Sequence, residues 1–256
     1  MNVVIIVQAR LGSTRLPNKI LRKLNGDSVL EFLIKRLGRC KKASRIVIAT
    51  TTKPADGLLI EYAKKLSVAY YRGSEDDVLD RTYHAAKQEK AGVVVRVTSD
   101  CPLNDPKLID SMIEEFLGSG LDYLCNRKPP TYPDGYDTEV FTFAALEKAW
   151  KEAKFKFERE HVTPYISEHE DIFKVKSIFY PKDCSHYRLT VDYEEDFELV
   201  KKVYGALYPK NPDFTLEDVI AYLDARPELV AINSKYVRDE KYHKEKKEEL
   251  GKAKKN

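Results

Sequence analysis

The chain has 256 residues, which is enough for one α/β domain with insertions and a substantial core. Its 44 Lys and Arg residues nearly balance its 41 Asp and Glu residues, and a net charge of +3 is too small and too mixed to indicate nucleic acid as the main partner. It contains no run of about eighteen apolar residues, and its first apolar run is too short for a signal peptide, so we expect no membrane span and a cytoplasmic location.

The first half of the chain alternates between strand-like and helical patterns. Short apolar runs bounded by turn residues predict strands, whereas apolar residues at helical spacing predict helices. The predicted strands are 3–7, 45–50, 69–71, 93–97 and 123–126, and the predicted helices are 29–37, 58–66, 77–91 and 107–117, with a further helix start after Pro17. This order predicts the α/β class, with a doubly wound, mostly parallel sheet and helices on both faces.

The second half is less regular and predicts a small irregular α+β insertion. A loop at 131–137 is rich in Tyr, Pro, Asp and Gly. Strands are predicted at 139–143, 173–179 and 187–191, the last two as antiparallel additions to the sheet, and helices at 144–153, 158–169, 197–207 and 216–223. We assign residues 1–238 to one domain, with 132–180 as an acceptor-binding or dimerisation subregion, and 239–256 to a charged C-terminal tail that is a solvated helix or disordered.

A basic loop follows the first predicted strand. Arg10, Arg15 and Lys19 place three fixed positive charges within ten residues, and Gly12 lets the backbone approach a ligand closely. Because the ligand crevice of an open α/β sheet lies at the carboxyl ends of its strands, this loop predicts a polyphosphate site. The spacing is neither a P-loop nor G-x-G-x-x-G, and a merely basic surface loop is the alternative interpretation.

The sequence ARLGSTRLPNKIL in this loop resembles the A-R-x-x-S-x-R-x-P-x-K-x-L signature of sugar-acid cytidylyltransferases, which make CMP-activated ketodeoxyoctulosonate and sialic acid. Over residues 1–203 the chain resembles the spore coat polysaccharide biosynthesis protein F family. The resemblance implies a nucleotide-diphospho-sugar transferase-like fold, CTP and a sugar or sugar acid as substrates, and a homodimer. It also implies a nucleotide site in this loop, formed by Ala9, Arg10, Leu11, Gly12, Ser13, Arg15 and Lys19.

Two carboxylates are candidates for binding Mg²⁺, an ion that prefers carboxylate and phosphate oxygens. Asp100 follows the strand at 93–97, where a turn or a helix N-cap is the alternative interpretation. The segment DCPL resembles the metal-binding D-x-P-[LF] segment of the cytidylyltransferases, which implies a metal role for Asp100 and places Thr98 and Ser99 near the nucleotide.

The second candidate is Asp192, at the end of the strand predicted at 187–191. The acidic run that follows it, 194–196, loads the first turn of a helix with negative charge, which the helix dipole alone would favour. The segment resembles the V-D-T-P-E-D-L segment of the cytidylyltransferases, in which the first Asp completes the metal site. Tyr193 and Glu194 replace the usual Thr and Pro.

Two further segments supply candidate binding residues. The segment after the third strand resembles a loop that closes over the nucleotide, and implies contacts from Ser74, Asp80 and Arg81, although a capped helix beginning at Ser74 explains the same residues. The remaining segments resemble the acceptor pocket of the spore coat family, and the candidates there are Asn126, Arg127, Tyr132, Asp134, Gly135, Asp137, Glu139 and His161. The Pro-Asp-Gly sequence is also an ordinary turn signal, and a lone histidine is often structural.

The favoured reaction joins CMP from CTP to a sugar or sugar acid, with release of pyrophosphate in surface polysaccharide biosynthesis. Catalysis is assigned to Arg10, Lys19 and Asp100, with Mg²⁺ as cofactor. A glycosyltransferase that uses a nucleotide-sugar donor is an alternative, but no Asp-x-Asp motif follows the central strand. A catalytically silent nucleotide-binding protein is a further alternative, and the three basic residues and two acids argue against it.

Overall fold

The computed structural model describes residues 1–253. Its strands are β1 (Val3–Gln8), β2 (Lys23–Asn25), β3 (Asp27–Ser28), β4 (Arg45–Thr51), β5 (Ala69–Gly73), β6 (Val93–Thr98), β7 (Tyr123–Cys125), β8 (Glu139–Thr142) and β9 (Val175–Ser177). Its α-helices are α1 (Val29–Leu37), α2 (Leu58–Lys65), α3 (Val78–Gln88), α4 (Pro106–Ser119), α5 (Phe143–Glu152), α6 (Lys156–His161), α7 (Pro164–Glu168), α8 (Glu194–Leu207), α9 (Leu216–Asp224), α10 (Pro227–Val230) and α11 (Glu240–Ala253). Two short 3₁₀ helices cover Lys19–Leu21 and Pro54–Gly57.

The main sheet has seven strands in the order β5-β4-β1-β6-β8-β7-β9. The pairs from β5 to β6 are parallel, and β8 runs antiparallel to both of its neighbours. Alternate side chains of β1 pack into two different apolar clusters, Ile5 into one and Ile6 into the other, because helices cover both faces of the sheet. The predicted doubly wound, mostly parallel sheet is confirmed.

A third apolar cluster lies beneath α8 and α9 and includes Leu103, Tyr136 and Leu189. It anchors the segments that follow β6 and precede α8, both of which end at the same edge of the sheet as β1. The irregular second half of the chain is therefore fixed to the main domain by apolar packing of its own.

The helix predicted after Pro17 is not formed. Instead, a single 3₁₀ turn at Lys19–Leu21 leads into the hairpin β2-β3. Gly26 has a φ of +89°, a value that an L-residue with a side chain rarely adopts, and it lets the chain turn back between the two strands. The apolar spacing resembled a helix, but the turn residue decided the local structure.

The helix predicted at 158–169 is two short helices, α6 and α7. Val162 separates them with a φ of +72°, and Pro164 opens α7, where its missing N–H costs nothing. A proline inside a helix would lack a donor for the preceding turn, so the break falls just before it.

The two strands predicted near the C-terminal half are also corrected. Only Val175–Ser177 forms a strand, and it pairs with β7 in parallel rather than antiparallel fashion. Residues 187–191 form no strand, and Arg188 makes an isolated bridge with Asp134. The apolar side chains of this stretch are buried in the third cluster, which explains a strand-like pattern without a strand.

The charged C-terminal stretch is a helix as far as Ala253, and none of its described residues is buried. Many of its contacts with the rest of the protein are polar: Glu249 accepts a hydrogen bond from the backbone N–H of Lys156 at 2.8 Å, and His161 Nε2 lies 3.1 Å from Glu245. The ring of Tyr242 also contacts the ring of Phe157 edge-on. The division of the chain at residue 238 stays a prediction. Among the described residues no helix combines the length and the apolar character that crossing a membrane requires.

Candidate active site

A cleft lies past the carboxyl ends of β1 and β6 and consists of two adjoining cavities. The first, which we call the basic cavity, is lined by Arg10, Arg15, Lys19 and Arg81 among others. The second, which we call the acidic cavity, is lined by the carboxylates of Asp134, Asp137, Glu139 and Asp239. The two cavities meet at shared residues, which are Gln8, Arg15, Thr98, Asp100, His161, Asp192 and Lys241.

The basic loop is held in place by its apolar residues and one backbone hydrogen bond. Leu11 and Leu16 are buried, and the N–H of Leu11 donates to Asp56 Oδ1 at 2.7 Å. The basic side chains beside them stay accessible, at 42% for Arg10 and 38% for Arg15. The loop thus directs its guanidinium groups toward the cleft while its backbone is fixed to the body of the protein.

Lys19 joins the two predicted metal-binding carboxylates. Its Nζ donates to Asp100 Oδ2 at 2.6 Å and to Asp192 Oδ1 at 2.7 Å, and Arg15 Nη2 lies 2.6 Å from the same Asp192 oxygen. Burial lowers the pKa of Lys19, but the two carboxylates more than offset it and the pKa is raised. Burial also opposes ionisation of Asp192, yet Lys19 and Arg15 lower its pKa to about 2. Side chains from three distant segments therefore converge on one charged point.

This donor set fits a divalent cation. Oxygens of Asp100 and Asp192 already reach a single cationic nitrogen, and carboxylate oxygens are the ligands that Mg²⁺ prefers. The basic cavity beside them can accept phosphate oxygens, which commonly complete such a coordination shell. The pair of carboxylates is consistent with the predicted metal site, whose occupancy stays a prediction.

Arg188 supports Asp192 from behind and has no role in the sequence predictions. Its Nη2 lies 3.2 Å from Asp192, its Nη1 donates to Asp134 at 2.9 Å, and its Nε donates to Asp196 at 3.0 Å. Burial opposes its charge, but the hydrogen bond to Asp196 and the nearby carboxylates raise its pKa. A basic residue inside a strand-like apolar run was the one sequence signal that could have identified it.

The acidic run after Asp192 caps a helix, as the simpler interpretation expected. Asp196 is fully buried and accepts hydrogen bonds from the backbone N–H groups of Asp192 and Tyr193, both at 3.0 Å. These N–H groups would otherwise be unsatisfied at the start of α8. The cap and Arg188 together fix the backbone and the side chain of Asp192.

The acidic cavity holds most of the predicted acceptor residues, since Arg127, Asp134, Asp137, Glu139 and His161 all line it. Glu139 accepts hydrogen bonds from Tyr123 and Thr163, both at 2.5 Å, and pairs with Arg96. Burial opposes ionisation of Glu139, but Arg96 and Arg127 lower its pKa to about 2.

Asp134 in the same cavity behaves in the opposite way. Burial and the neighbouring Asp137 raise its pKa to about 7, although Arg188 and Arg238 lie close by. The pKa of Asp137 is also raised, first by its burial. For these two groups, burial together with the neighbouring carboxylates outweighs the effect of the nearby cations on the pKa.

Three predicted acceptor residues do not line either cavity in the described part of the chain. Asn126 donates to the carbonyl of Tyr136 at 2.8 Å, and Tyr132 packs against the ring of Tyr180. Gly135 has a φ of +104°, and a Cβ there would lie 2.5 Å from the carbonyl carbon of Leu189. All three contribute to the conformation of the loop that carries Asp134 and Asp137, and their direct contact with an acceptor stays a prediction.

Of the three candidates in the segment after β5, one lines the basic cavity and two make hydrogen bonds within the protein. Arg81 lines the basic cavity, and burial together with the nearby Arg10 lowers its pKa to about 10. Ser74 accepts a hydrogen bond from the N–H of Asp77 at 3.0 Å, and Asp80 accepts one from the indole of Trp150 at 2.8 Å. The helix is capped by Asp77 rather than Ser74, and its first residue is Val78.

The other nucleotide-binding candidates are also placed by the structure. Ala9, Ser13, Thr98 and Ser99 line the basic cavity, whereas the side chain of Leu11 packs in the core. Gly12 lies beside Glu75, and a Cβ added to this glycine would be 3.8 Å from the carboxylate Oε1. Lys241, which the sequence predictions assign to a solvated tail, lines both cavities.

The fold and the cleft define a nucleotide-binding α/β transferase, in which a basic loop and two carboxylates meet at the carboxyl ends of parallel strands. The chain belongs to the cytidylyltransferase family, whose model matches residues 4–225. The spore coat polysaccharide biosynthesis protein SpsF of Bacillus subtilis (strain 168) is 34% identical over 239 residues, which cover 89% of this chain and 96% of that protein.

Two further comparisons agree with this family. The 3-deoxy-manno-octulosonate cytidylyltransferase of Chlorobium chlorochromatii (strain CaD3) is 32% identical over 139 residues, about half of each protein (53% of this chain and 54% of the other). The solved structure of a cytidylyltransferase from Leptospira borgpetersenii serovar Hardjo-bovis (strain JB197) is 36% identical, with a TM-score of 0.87, and covers 93% of this chain and 100% of that one. The resemblance seen in the sequence is confirmed, and the match extends beyond residue 203.

Proposed function

We propose that the protein transfers CMP from CTP to a hydroxyl group of a sugar or sugar acid in the biosynthesis of a surface polysaccharide. The acceptor oxygen attacks the α-phosphorus, the bond from that phosphorus to the oxygen bridging the β-phosphate breaks, pyrophosphate leaves, and the hydroxyl proton is lost to water. The names of the relatives in Bacillus and Chlorobium support the acceptor class.

One observation carries this proposal: Lys19, Asp100 and Asp192 meet where the basic and acidic cavities join. A triphosphate in the basic cavity would place its negative charge among Arg10, Arg15 and Lys19. An acceptor in the acidic cavity would then approach the α-phosphate from the opposite side. Such an arrangement would allow the in-line approach and provide the charge neutralisation on which phosphoryl and nucleotidyl transfer depend.

A divalent cation, which we propose to be Mg²⁺, would be held by Asp100 and Asp192 and would neutralise developing charge on the phosphates. The chain's own residues prepare that site. Arg188 fixes the orientation of Asp192, and the low pKa of Asp192 keeps it ionised at neutral pH. Lys19 holds the two carboxylates together and lies within reach of the basic cavity.

The acceptor would lie against Arg127, Asp137 and Glu139, where charged groups can accept or donate hydrogen bonds to sugar hydroxyls. His161 faces both cavities, and burial lowers its pKa despite its contact with Glu245. A neutral imidazole at that junction is suited to hydrogen bonding with either substrate.

The test is pyrophosphate release in the presence of Mg²⁺, with each of four nucleoside triphosphates against a panel of sugar acids and sugar phosphates. We expect release with CTP and a sugar acid, and a loss of at least about a hundredfold in Asp100→Ala, the size seen when one charge-stabilising group is removed. Asp183→Ala, which removes an exposed carboxylate elsewhere, is the matched control and should retain full activity.

Other outcomes of that assay would change the conclusion. Release with another triphosphate would keep the mechanism and overturn the cytidine assignment. Release from a nucleotide-sugar donor without a triphosphate would favour a glycosyltransferase. Binding of CTP without any pyrophosphate release across the panel would favour a silent nucleotide-binding protein.

A further inference from the structure

The residues from Tyr236 to Tyr242, which we call the C-terminal segment, form one wall of the acidic cavity. Val237, Asp239 and Tyr242 belong to the lining, and Lys241 also reaches the basic cavity. The match to the family ends at residue 225, so this wall lies beyond the part of the chain that the family pattern covers. Whatever occupies the acidic cavity must contact it.

Asp239 in this wall pairs with a cation of the acidic cavity. Its Oδ2 accepts a hydrogen bond from Arg127 Nη2 at 2.8 Å, and the side chains are 34% and 20% exposed respectively. Arg127 lines the acidic cavity, and Asp239 is the one carboxylate that the described structure pairs with it within salt-bridge distance. Arg127, a cation in the cavity that could recognise an acceptor carboxylate, is therefore already paired with a carboxylate of the chain itself.

The C-terminal segment is attached in a way that allows it to move. None of the described residues of α11 is buried. Most of its contacts are hydrogen bonds and ion pairs such as Lys246 with Glu168 at 2.6 Å, and the ring of Tyr242 adds edge-on contacts with Phe157 and His161. Just before it, Tyr236 stacks on Tyr193 with the ring centroids 3.8 Å apart. Elements held by polar surface contacts, with few buried apolar side chains, open at lower free energy than core elements do.

Charge also favours an exchange at Arg127. Asp134 and Asp137 lie close enough to Asp239 for its charge to oppose their ionisation. While Asp239 is in place, the cavity therefore lacks the positive charge that would stabilise an additional anion. An acceptor carboxylate that replaces Asp239 on Arg127 leaves the net charge of the cavity unchanged. An acceptor carboxylate that binds while Asp239 stays in place adds a negative charge to the cavity.

We propose that Asp239 occupies the position of the acceptor carboxylate in the free protein, and that a sugar acid binds by displacing Asp239, with the C-terminal segment, from Arg127. This inference rests on the proposed function and names the acceptor as a sugar that carries a carboxylate. It assigns to the C-terminal segment the role of selecting such acceptors over neutral sugars, which cannot make the exchange.

The test is a binding measurement, so that it does not depend on turnover. Calorimetric titrations with 3-deoxy-manno-octulosonate and with sialic acid, in the presence of CMP, are compared for the wild type and Asp239→Asn. Asn tolerates the φ of +55° found at this position, so the backbone should be preserved. If Asp239 holds Arg127 in most molecules, its removal should tighten binding of a sugar acid on the order of tenfold, because the competent fraction rises.

Glu248→Gln is the matched control, since it makes the same change of charge on an exposed residue of α11, the helix that follows Asp239, and it should leave the affinity unchanged. A second readout is hydrogen exchange, which should accelerate in α11 of the wild type when a sugar acid is added but not when a neutral hexose is added. Unchanged or weaker binding in Asp239→Asn would overturn the inference. It would also be overturned if neither the wild type nor the variant bound either sugar acid. Pyrophosphate release judges the transferase proposal separately, because it is measured across sugar phosphates as well.

Discussion

The substitution Arg188→Met tests how much the buried charge of Arg188 stabilises the fold. Arg188 is 8% exposed and contacts three carboxylates, those of Asp134, Asp192 and Asp196, of which the last is fully buried. Methionine keeps the approximate length of the side chain and its packing but removes the charge. Removal of one partner from a buried ion pair leaves uncompensated charge and costs about 3–5 kcal/mol of the free energy of unfolding.

For a chain of this size each kcal/mol lowers Tm by about 2–4 °C, so Arg188→Met should lower Tm by about 6–20 °C. The loss should be larger at pH 8 than at pH 5, because without Arg188 the pKa values of the neighbouring carboxylates rise in the folded state and protonation relieves their repulsion at low pH. Calorimetric and urea unfolding at both pH values measure this. The control is Arg226→Met, whose guanidinium lies over the ring of Tyr222 near the surface, with an expected cost below about 1 kcal/mol.

A loss of stability of the same size at pH 5 and pH 8 would refute the electrostatic reasoning, because a loss caused by unpaired carboxylate charge must fall when those carboxylates are protonated. A cost below about 1 kcal/mol at pH 8 would show that the carboxylates find other partners. Either result would also remove the reason for assigning Arg188 a role in orienting Asp192 for metal binding.

Three further predictions follow from the site. Lys19→Met removes the cation that two carboxylates share and a contact of the basic cavity, so the KM for CTP should rise at least about tenfold, whereas a fall in KM would contradict the phosphate-binding role. Gly135→Ala forces a Cβ to within 2.5 Å of backbone at a φ of +104° and should cost more than about 2 kcal/mol in urea unfolding, whereas Gly118→Ala, in open space within a helix, should be neutral or stabilising by up to about 1 kcal/mol. The folded-state pKa of Asp134, about 7, lies above its unfolded value, so its contribution is favourable at low pH and is lost as pH rises through 7. Asp134→Asn should therefore flatten the decline in stability between pH 5 and pH 8, and an unchanged decline would assign it to other groups.

The continuous apolar run of β1 and the alternation of short strands with amphipathic helices were enough to predict a parallel, doubly wound sheet. This prediction of the sheet succeeded because a strand buried on both faces must be apolar at every position, and such a run can be recognised in the sequence alone. The site residues that follow such strands were predictable for the same reason. The carboxyl ends of parallel strands lie at one edge, so the basic loop and Asp100 were expected to face the same crevice, although their contact through Lys19 was not predicted.

Single residues that interrupt a helix were harder to predict than the apolar spacing that favours one. Gly26 turned an apparent helix into a hairpin, and Val162 with Pro164 divided another. In each case a single backbone conformation outweighed a spacing of apolar residues that favoured the longer element. The strand-like run around Arg188 is buried in an apolar cluster, which requires the same side chains as a strand but no ladder of backbone hydrogen bonds.

The sequence by itself determined the class of fold, the family, and the basic loop and two carboxylates as separate motifs, because each motif consists of contiguous residues. Only the tertiary structure revealed the support that Arg188 gives to Asp192, and the approach of Asp239 to Arg127 across 112 positions of the chain. The chain from Asp239 onward consists mostly of charged residues and has no apolar pattern to reveal where it lies. Its position depends on ion pairs with residues far away in the sequence, and charge alone does not specify which partner a side chain will meet.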